Sequence, residues 1–219
     1  ENLTLEVESL RGDLKEVPPP GAVQQIKTRL SNYHPKLLLQ SPSPEEVINK
    51  TINENWELVF QVRDWPLVQD PQVGLGPHLV VQIDRQRPIR VTHSVGEKIV
   101  LPIQGLSPGS HRISAYLAYP WGEALKSPGS SLQSRVHFFQ KTLGTQPSLD
   151  QTWLTVVSSP SQTDFQPILI DSLIWNAPVQ GLKNGDDKWR LKVSINKDSF
   201  LLDKQEAIWV EGIASKQIV

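Results

Sequence analysis

The chain has 219 residues, of which 38% are hydrophobic and 21% are charged, a composition typical of a folded globular protein. Its 22 basic and 23 acidic residues nearly cancel, which excludes the strongly positive field of a general nucleic-acid binder. The absence of cysteine excludes disulfides, thiolate metal sites and thiol nucleophiles, and no apolar run reaches the roughly 18 residues of a membrane span.

A helical arm is predicted first, over residues 1–35. Its apolar residues recur at spacings of 4, 3, 4 and 3, the a/d seam of a coiled coil: Leu3, Val7, Leu10, Leu14 and Val17. Three prolines end the seam, and a second helical pattern then runs from Val23 to Tyr33. The seam predicts one of two arrangements. Either it is an oligomerisation surface through which copies of the chain form a homo-oligomer, or it belongs to a short amphipathic helix that lies on the protein's own body.

From Leu37 onward the apolar residues recur with a period of two, which is typical of half-buried strands. Trp56, Leu58, Phe60 and Val62 give the clearest example, because polar or charged residues lie between most of them. Similar strands, separated by Pro-Gly turns, follow as far as Phe138 without a helical pattern between them. This pattern predicts a mostly β fold, with an immunoglobulin-like antiparallel sandwich over residues 36–142.

The strand pattern then repeats at an offset of 112 residues, which carries Pro66 onto Pro178. At this offset the three inward residues of one strand keep their phase: Leu79, Val81 and Ile83 fall on Leu191, Val193 and Ile195. We therefore expect tandem immunoglobulin-like sandwiches, the second over residues 150–219. The second copy lacks counterparts of the last two strands, so either the natural chain runs past Val219 or a partner supplies a strand by β-augmentation.

The sequence carries no catalytic motif of a known type, and no nucleophile–base pair or pair of carboxylates can be placed from it. We therefore predict a protein that is not an enzyme and uses no cofactor. A shared histidine metal site is also disfavoured, because His78 and His111 have opposite phases in their predicted strands and point to opposite faces.

Two surfaces are candidates for partner binding. Trp121, Glu123 and Lys126 lie in the loop that joins the last two strands of the first sandwich, and such loops often carry binding sites. In the structural alternative, Trp121 closes the end of the core while Glu123 and Lys126 pair at the surface. The second surface is a basic hairpin with Arg85, Arg87 and Arg90, which suits an acidic partner; alternatively, it is a solvated edge that opposes aggregation.

Several strings, taken together, resemble a group of conserved hypothetical proteins from cyanobacteria. They are Asp64-Trp65-Pro66-Leu67, Leu75-Gly76-Pro77-His78-Leu79, Leu106-Ser107-Pro108-Gly109-Ser110-His111 and Pro120-Trp121-Gly122-Glu123-Ala124. The resemblance covers about residues 30 to 213 and implies a cyanobacterial source, but no activity and no functional residues. With the lack of sulfur-containing residues, it favours the periplasm or the thylakoid lumen over the cytoplasm.

These features together predict a non-enzymatic protein–protein interaction or scaffold protein. An accessory subunit of an envelope or photosynthetic-membrane assembly is the setting that the resemblance implies. The alternative is a carbohydrate- or small-ligand-binding module that uses the loop around Trp121. We expect no nucleic-acid partner and no membrane span within this chain.

Overall fold

The computed structural model describes residues 14–70, 74–145, 147–157, 167–177, 190–195, 198–202 and 204–212. Over these residues the chain is mostly β, as the sequence predicts. The helical elements are α1 (Gly21–Leu30) and a 3₁₀ turn (Leu143–Thr145). The strands are β1 (Lys15–Val17), β2 (Lys36–Ser41), β3 (Val47–Ile48), β4 (Asn55–Arg63), β5 (Gln69–Asp70), β6 (Gly74–Leu75), β7 (His78–Ile83), β8 (Ile89–Val91), β9 (Lys98–Gln104), β10 (Gly109–Ala118), β11 (Ser131–Phe138), β12 (Trp153–Val157), β13 (Ile168–Trp175), β14 (Leu191–Ile195), β15 (Asp198–Leu202) and β16 (Ile208–Glu211).

The chain divides into two compact units. Unit 1 contains residues 1–26 and 152–219, and unit 2 contains the continuous segment 27–151. The strands of unit 2 form a three-stranded sheet in the order β2-β4-β9 and a five-stranded sheet in the order β3-β11-β10-β7-β8. All of these neighbours are antiparallel except β11 and β3, which are parallel.

The two sheets of unit 2 pack face to face through their alternating apolar residues, so unit 2 is a β-sandwich. Strand β4 shows the predicted alternation, with Trp56, Leu58, Phe60 and Val62 all buried. These side chains share one core with buried residues of the other sheet, namely Leu79, Val81 and Ile83 in β7, Val91 in β8, Ile113, Ala115 and Leu117 in β10, and Val136 and Phe138 in β11. Complete burial of so many large side chains is the main source of stability here.

In unit 1, strands β12, β13 and β16 pair antiparallel in that order, as β2, β4 and β9 do in unit 2. Strands β14 and β15 form an antiparallel hairpin, as β7 and β8 do. A fourth strand, β1, pairs antiparallel with β16, with Glu16 opposite Val210. The sheet of unit 1 therefore combines residues from both ends of the described chain.

The prediction of a helical arm is wrong over Lys15–Val17, because this segment is strand β1. Pairing with β16 provides backbone hydrogen bonds that a short helix interrupted by Gly12 cannot match. Leu14 is buried within the chain and Val17 is half-buried, which leaves little of either for an oligomeric seam. The other three seam residues, Leu3, Val7 and Leu10, lie outside the described residues.

The second helical pattern is confirmed by α1, which begins directly after the three prolines. Its first intrahelical bond runs from the N–H of Gln24 to the carbonyl of Pro20. Lys27 and Arg29 lie in its last turn, where positive charge interacts favourably with the helix dipole. Leu30 packs against the core of unit 2, and the last turn thereby places Lys27 beside the loop that joins β10 and β11.

Candidate functional site

The loop that joins β10 and β11 begins as a tight turn. The N–H of Gly122 donates to the carbonyl of Tyr119, and the N–H of Tyr119 donates to the carbonyl of Glu123. Gly122 has a φ of 96°, a conformation that residues with a β-carbon rarely adopt. The turn folds Ala124 back against Ala118, and it thereby presents Trp121 at the tip while it buries Glu123.

Four aromatic rings form a continuous row at this end of unit 2. Tyr33 contacts Trp65 edge to face at 6.1 Å between ring centroids, and Trp65 contacts Tyr119 in the same manner at 5.6 Å. Tyr119 then stacks on Trp121, with the centroids 4.8 Å apart and the rings within 3° of parallel. Trp65 is buried, whereas Tyr33 and Trp121 keep part of their surface exposed. We call these four residues the aromatic row.

Glu123 holds the aromatic row to the helix. Its Oε2 accepts a hydrogen bond of 2.9 Å from the Nε1 of Trp121, and its Oε1 lies 2.6 Å from the Nζ of Lys27. The Glu123 side chain is 7% exposed and that of Lys27 is 47% exposed. The Lys27 ammonium also lies 5.4 Å from the ring centroid of Tyr119, within range of a cation–π contact. Burial raises the pKa of the Tyr119 hydroxyl above its ordinary value.

This geometry assigns different roles to the three predicted loop residues. Trp121 keeps a partly exposed ring, as a binding residue must. Glu123 has both oxygens engaged inside the protein, so its carboxylate positions Trp121. The alternative prediction that Glu123 pairs with Lys126 is wrong, because the Glu123 carboxylate binds Lys27, while Lys126 donates to the carbonyl of Ala124.

Replacing Glu123 with alanine is expected to lower the free energy of unfolding of unit 2 by about 2 kcal/mol. The substitution leaves the Trp121 indole N–H and the Lys27 ammonium without their shared acceptor. Glutamine retains a neutral acceptor, so Glu123→Gln is expected to lower the free energy of unfolding by about half as much as Glu123→Ala does. Urea unfolding followed by tryptophan fluorescence measures both values. Equal losses in the two variants would contradict a role for the hydrogen bond to Trp121.

The basic hairpin lies at the opposite end of β7 from the aromatic row. Ala118, which precedes the loop, pairs with the first residue of β7, whereas Ile113 pairs with its last, Ile83. Five residue steps along a strand correspond to about 16 Å. The structure therefore does not bring the two predicted surfaces together. Arg85 and Arg87 are exposed in the turn after β7, and Arg90 is half-buried in β8.

Two polar networks were not predicted from the sequence, because they join residues that are distant in the chain. In the first, Asp84 accepts from the backbone N–H of Arg112 at 2.8 Å, and its Oδ2 lies 2.7 Å from the Nδ1 of His111. The Nε2 of His111 lies 2.8 Å from the carbonyl of Ser107. Burial lowers the pKa of His111, but the bonds to Asp84 and Ser107 outweigh it, so the pKa lies above its ordinary value.

The second network runs through Glu45, whose carboxylate accepts two bonds from Arg135, at 2.7 and 2.8 Å. Arg135 is the main reason that the pKa of Glu45 falls to about 2. Glu45 also lies 3.1 Å from the Nε2 of His137, whose Nδ1 lies 2.7 Å from the Oγ of Ser110. The structure thus brings together the Ser110 hydroxyl, the His137 imidazole and the Glu45 carboxylate. From the sequence alone, no nucleophile could be paired with a base in this way. The Ser110 hydroxyl also accepts from the N–H of Thr142, so the network joins the segment after β11 to β10.

A third polar group is His78, which is fully buried at the start of β7. Its Nδ1 lies 2.8 Å from the carbonyl of Gly76. Burial is the main cause that lowers the pKa of His78 to about 4, and nearby Arg90 adds to the effect. His78 is therefore neutral at pH 7.

Two further kinds of feature, a metal-binding cluster and a membrane-spanning helix, are absent from the described residues. No cluster of three or more His, Cys, Asp or Glu side chains that could hold a metal ion occurs within the described ranges. In the same part of the chain, no helix has the length and apolarity needed to cross a bilayer.

Comparison with known proteins gives few matches. No protein-family description and no curated protein matches the chain. Among solved structures, the chain is similar to the CARDB domain of a Pyrococcus furiosus protein, crystallised in complex with di-metal ions. The sequences are 15% identical, the match covers 48% of this chain and 93% of that domain, and the TM-score is 0.31.

Proposed function

We propose that the chain is a non-enzymatic protein–protein interaction or scaffold protein built from tandem immunoglobulin-like sandwiches. The fold part of this proposal is supported by the repeated strand order, β2-β4-β9 in one unit and β12-β13-β16 in the other. The hairpins β7-β8 and β14-β15 add a second correspondence. Such sandwiches commonly present binding residues in the loops at their ends.

The observation that supports a binding function best is the aromatic row. Trp121 is half-exposed, yet its indole N–H is bonded to Glu123 and one of its faces is stacked on Tyr119. A ring held in this way loses little conformational entropy when a partner covers it, and rigid aromatic anchors of this kind dominate the affinity of many protein interfaces. The row therefore favours a protein partner that docks on Trp121 and Tyr33.

The test is a pull-down of the tagged full chain from cyanobacterial cells, the source that the sequence resemblance implies, with quantitative mass spectrometry. We expect a stoichiometric partner that Trp121→Ala loses at a temperature well below the melting temperature of the variant, where the variant is still folded. Phe139→Ala is the matched control, because Phe139 is also an exposed aromatic residue of unit 2. Recovery of the chain alone, or equal capture by the Trp121→Ala variant, would contradict the proposal. A partner from an envelope or photosynthetic-membrane assembly would support the extracytoplasmic setting.

The stacked pair of rings also favours a second candidate function, a carbohydrate-binding module. Sugars bind to flat, partly exposed aromatic faces, and the Tyr119–Trp121 stack provides one with the Lys27 ammonium close by. Titration of the chain with soluble cell-wall polysaccharides tests this function. Binding that disappears in Trp121→Ala but persists in Phe139→Ala would favour carbohydrate over a protein partner.

A further inference from the structure

A groove of about 470 Å³ runs along the side of unit 2, between the edge strands β8 and β9. Its apolar lining includes Val91, Val95 and Val100, and Lys98 and Pro102 line it as well. Val95 is 85% exposed and Val100 is 47% exposed. The groove shares no residue with the aromatic row, so any function of it is separate from that of Trp121.

The outer edge of β9 provides backbone groups to this groove. Within its sheet β9 pairs with β4 only, and it stands at the end of the order β2-β4-β9. Lys98 exchanges two backbone hydrogen bonds with Val95, so the backbone of Lys98 points away from β4. Because backbone direction alternates along a strand, the N–H and carbonyl of Val100 point outward as well. Pro102 points outward too but offers only its carbonyl, since proline has no N–H.

Unit 1 shows what occupies the equivalent edge there. Strand β16, which holds the same place in its sheet as β9, pairs on its outer side with the three-residue strand β1. In unit 2 no strand takes this position within the described part of the chain. Pro102 explains why only a short strand fits at β9, because it interrupts the row of outward N–H donors.

The charges around the groove favour an acidic occupant. Arg90, His93 and Lys98 line the groove, and none of the described residues that line it is acidic. The neighbouring Glu97 is directed to the other side, where its carboxylate accepts from Gln61 and Arg63. Arg85 and Arg87 extend the positive charge into the turn that leads to β8.

We propose that this groove binds a short, extended, acidic peptide segment of a partner protein, which pairs with the outer edge of β9 at Val100. The Val100 N–H and carbonyl and the Pro102 carbonyl fix the backbone of the peptide. Its apolar side chains contact Val95 and Val100, and its carboxylates face Lys98. This is strand addition to an exposed sheet edge, with specificity from alternate side chains.

The experiment measures the binding of fluorescein-labelled peptides to the full chain by fluorescence anisotropy. The probe is a short peptide of alternating Glu and Val, and its matched controls are the Lys-Val peptide and the same Glu-Val peptide with N-methylated backbone amides. We expect saturable binding of the Glu-Val peptide and no saturable binding of the two control peptides. Slower amide hydrogen exchange at Val100 in the complex is the readout that locates the peptide on β9.

Two variants test the contacts separately. Val100→Pro removes the outward N–H without removing a bond to β4, and is expected to weaken binding about fivefold or more. Lys98→Glu is expected to weaken peptide binding about fivefold through charge repulsion. Its control is Lys36→Glu, which changes an exposed lysine on β2 and leaves peptide binding unchanged. Trp121→Ala also leaves it unchanged, which separates this site from the aromatic row.

Several results would overturn the proposal. The first is that the wild-type chain does not bind the Glu-Val peptide. The second is that the Lys-Val or the N-methylated peptide binds as tightly as the Glu-Val peptide. The third is that Val100→Pro or Lys98→Glu binds the Glu-Val peptide as tightly as the wild type does. Concentration-dependent dimerisation that Val100→Pro abolishes would assign the groove to a second copy of the chain instead.

Discussion

Acidification from pH 7 to pH 4 is expected to remove about 3 kcal/mol from the free energy of unfolding of unit 2 through His78 alone. In the folded chain burial lowers the pKa of His78 to about 4, whereas the ordinary value is 6.5. Between these two values the unfolded chain binds a proton that the folded chain does not, so acid favours unfolding. The contribution of His78 is complete above pH 6.5 and falls as the pH approaches 4.

Urea unfolding at a series of pH values measures this effect in the wild type and in His78→Gln. The variant lacks a titrating group at position 78, so its free energy should decline less over the same range, whatever its stability at pH 7. His111→Gln is the control with the opposite sign. The raised pKa of His111 stabilises the folded state below pH 6.5, and this contribution is lost as the pH rises through the folded pKa. Identical pH slopes in wild type and His78→Gln would contradict the prediction.

Replacing Asp84 with alanine is expected to destabilise unit 2 by about 3 kcal/mol. Two hydrogen bonds are lost, one from the backbone of Arg112 and one with the ring of His111. In addition, Asp84 has a φ of 51°, in the left-handed region that aspartate tolerates better than alanine. Thermal and urea unfolding of the purified variant give the measurement.

Two further substitutions at this position separate the two causes. Asp84→Asn keeps the acceptor oxygen and tolerates the left-handed backbone, so it should lose least. Asp84→Gly removes the side-chain bonds but relieves the backbone strain, and it should fall between asparagine and alanine. If the glycine and alanine variants were equally stable, backbone strain would contribute nothing to the destabilisation by Asp84→Ala.

The strands of unit 2 were predictable because each has one face in a common core. The period of two at Trp56, Leu58 and Phe60 is a direct consequence of burial on alternate positions, and the structure buries all three. The end of the N-terminal arm was not predictable in this way. A heptad spacing and a short edge strand can both bury Leu14, and the choice depends on β16, which lies at the far end of the chain.

For the aromatic row, the sequence indicated Trp121 but not its supports. Lys27 and Tyr33 come from α1 and the turn after it, Trp65 comes shortly after the end of β4, and only the fold brings these two segments to Trp121. A signal for Lys27 was available, since it lies within the predicted helix, three residues before the apolar Leu30, but no local rule pairs it with Glu123. The link between Ser110 and His137 depends on strand register, which sequence periodicity alone does not fix across a long loop.

The pairing of β1 with β16 gives the two units different folding requirements. Unit 2 is one uninterrupted stretch of chain, so during synthesis all of it is available before most of unit 1 exists. Val17 pairs with Trp209, so the sheet of unit 1 closes a loop that contains all of unit 2. Once unit 2 has folded, fewer residues of this loop remain flexible, which lowers the entropy cost of closing it. We therefore expect unit 1 to complete its sheet after unit 2 has folded, when β1 pairs with β16.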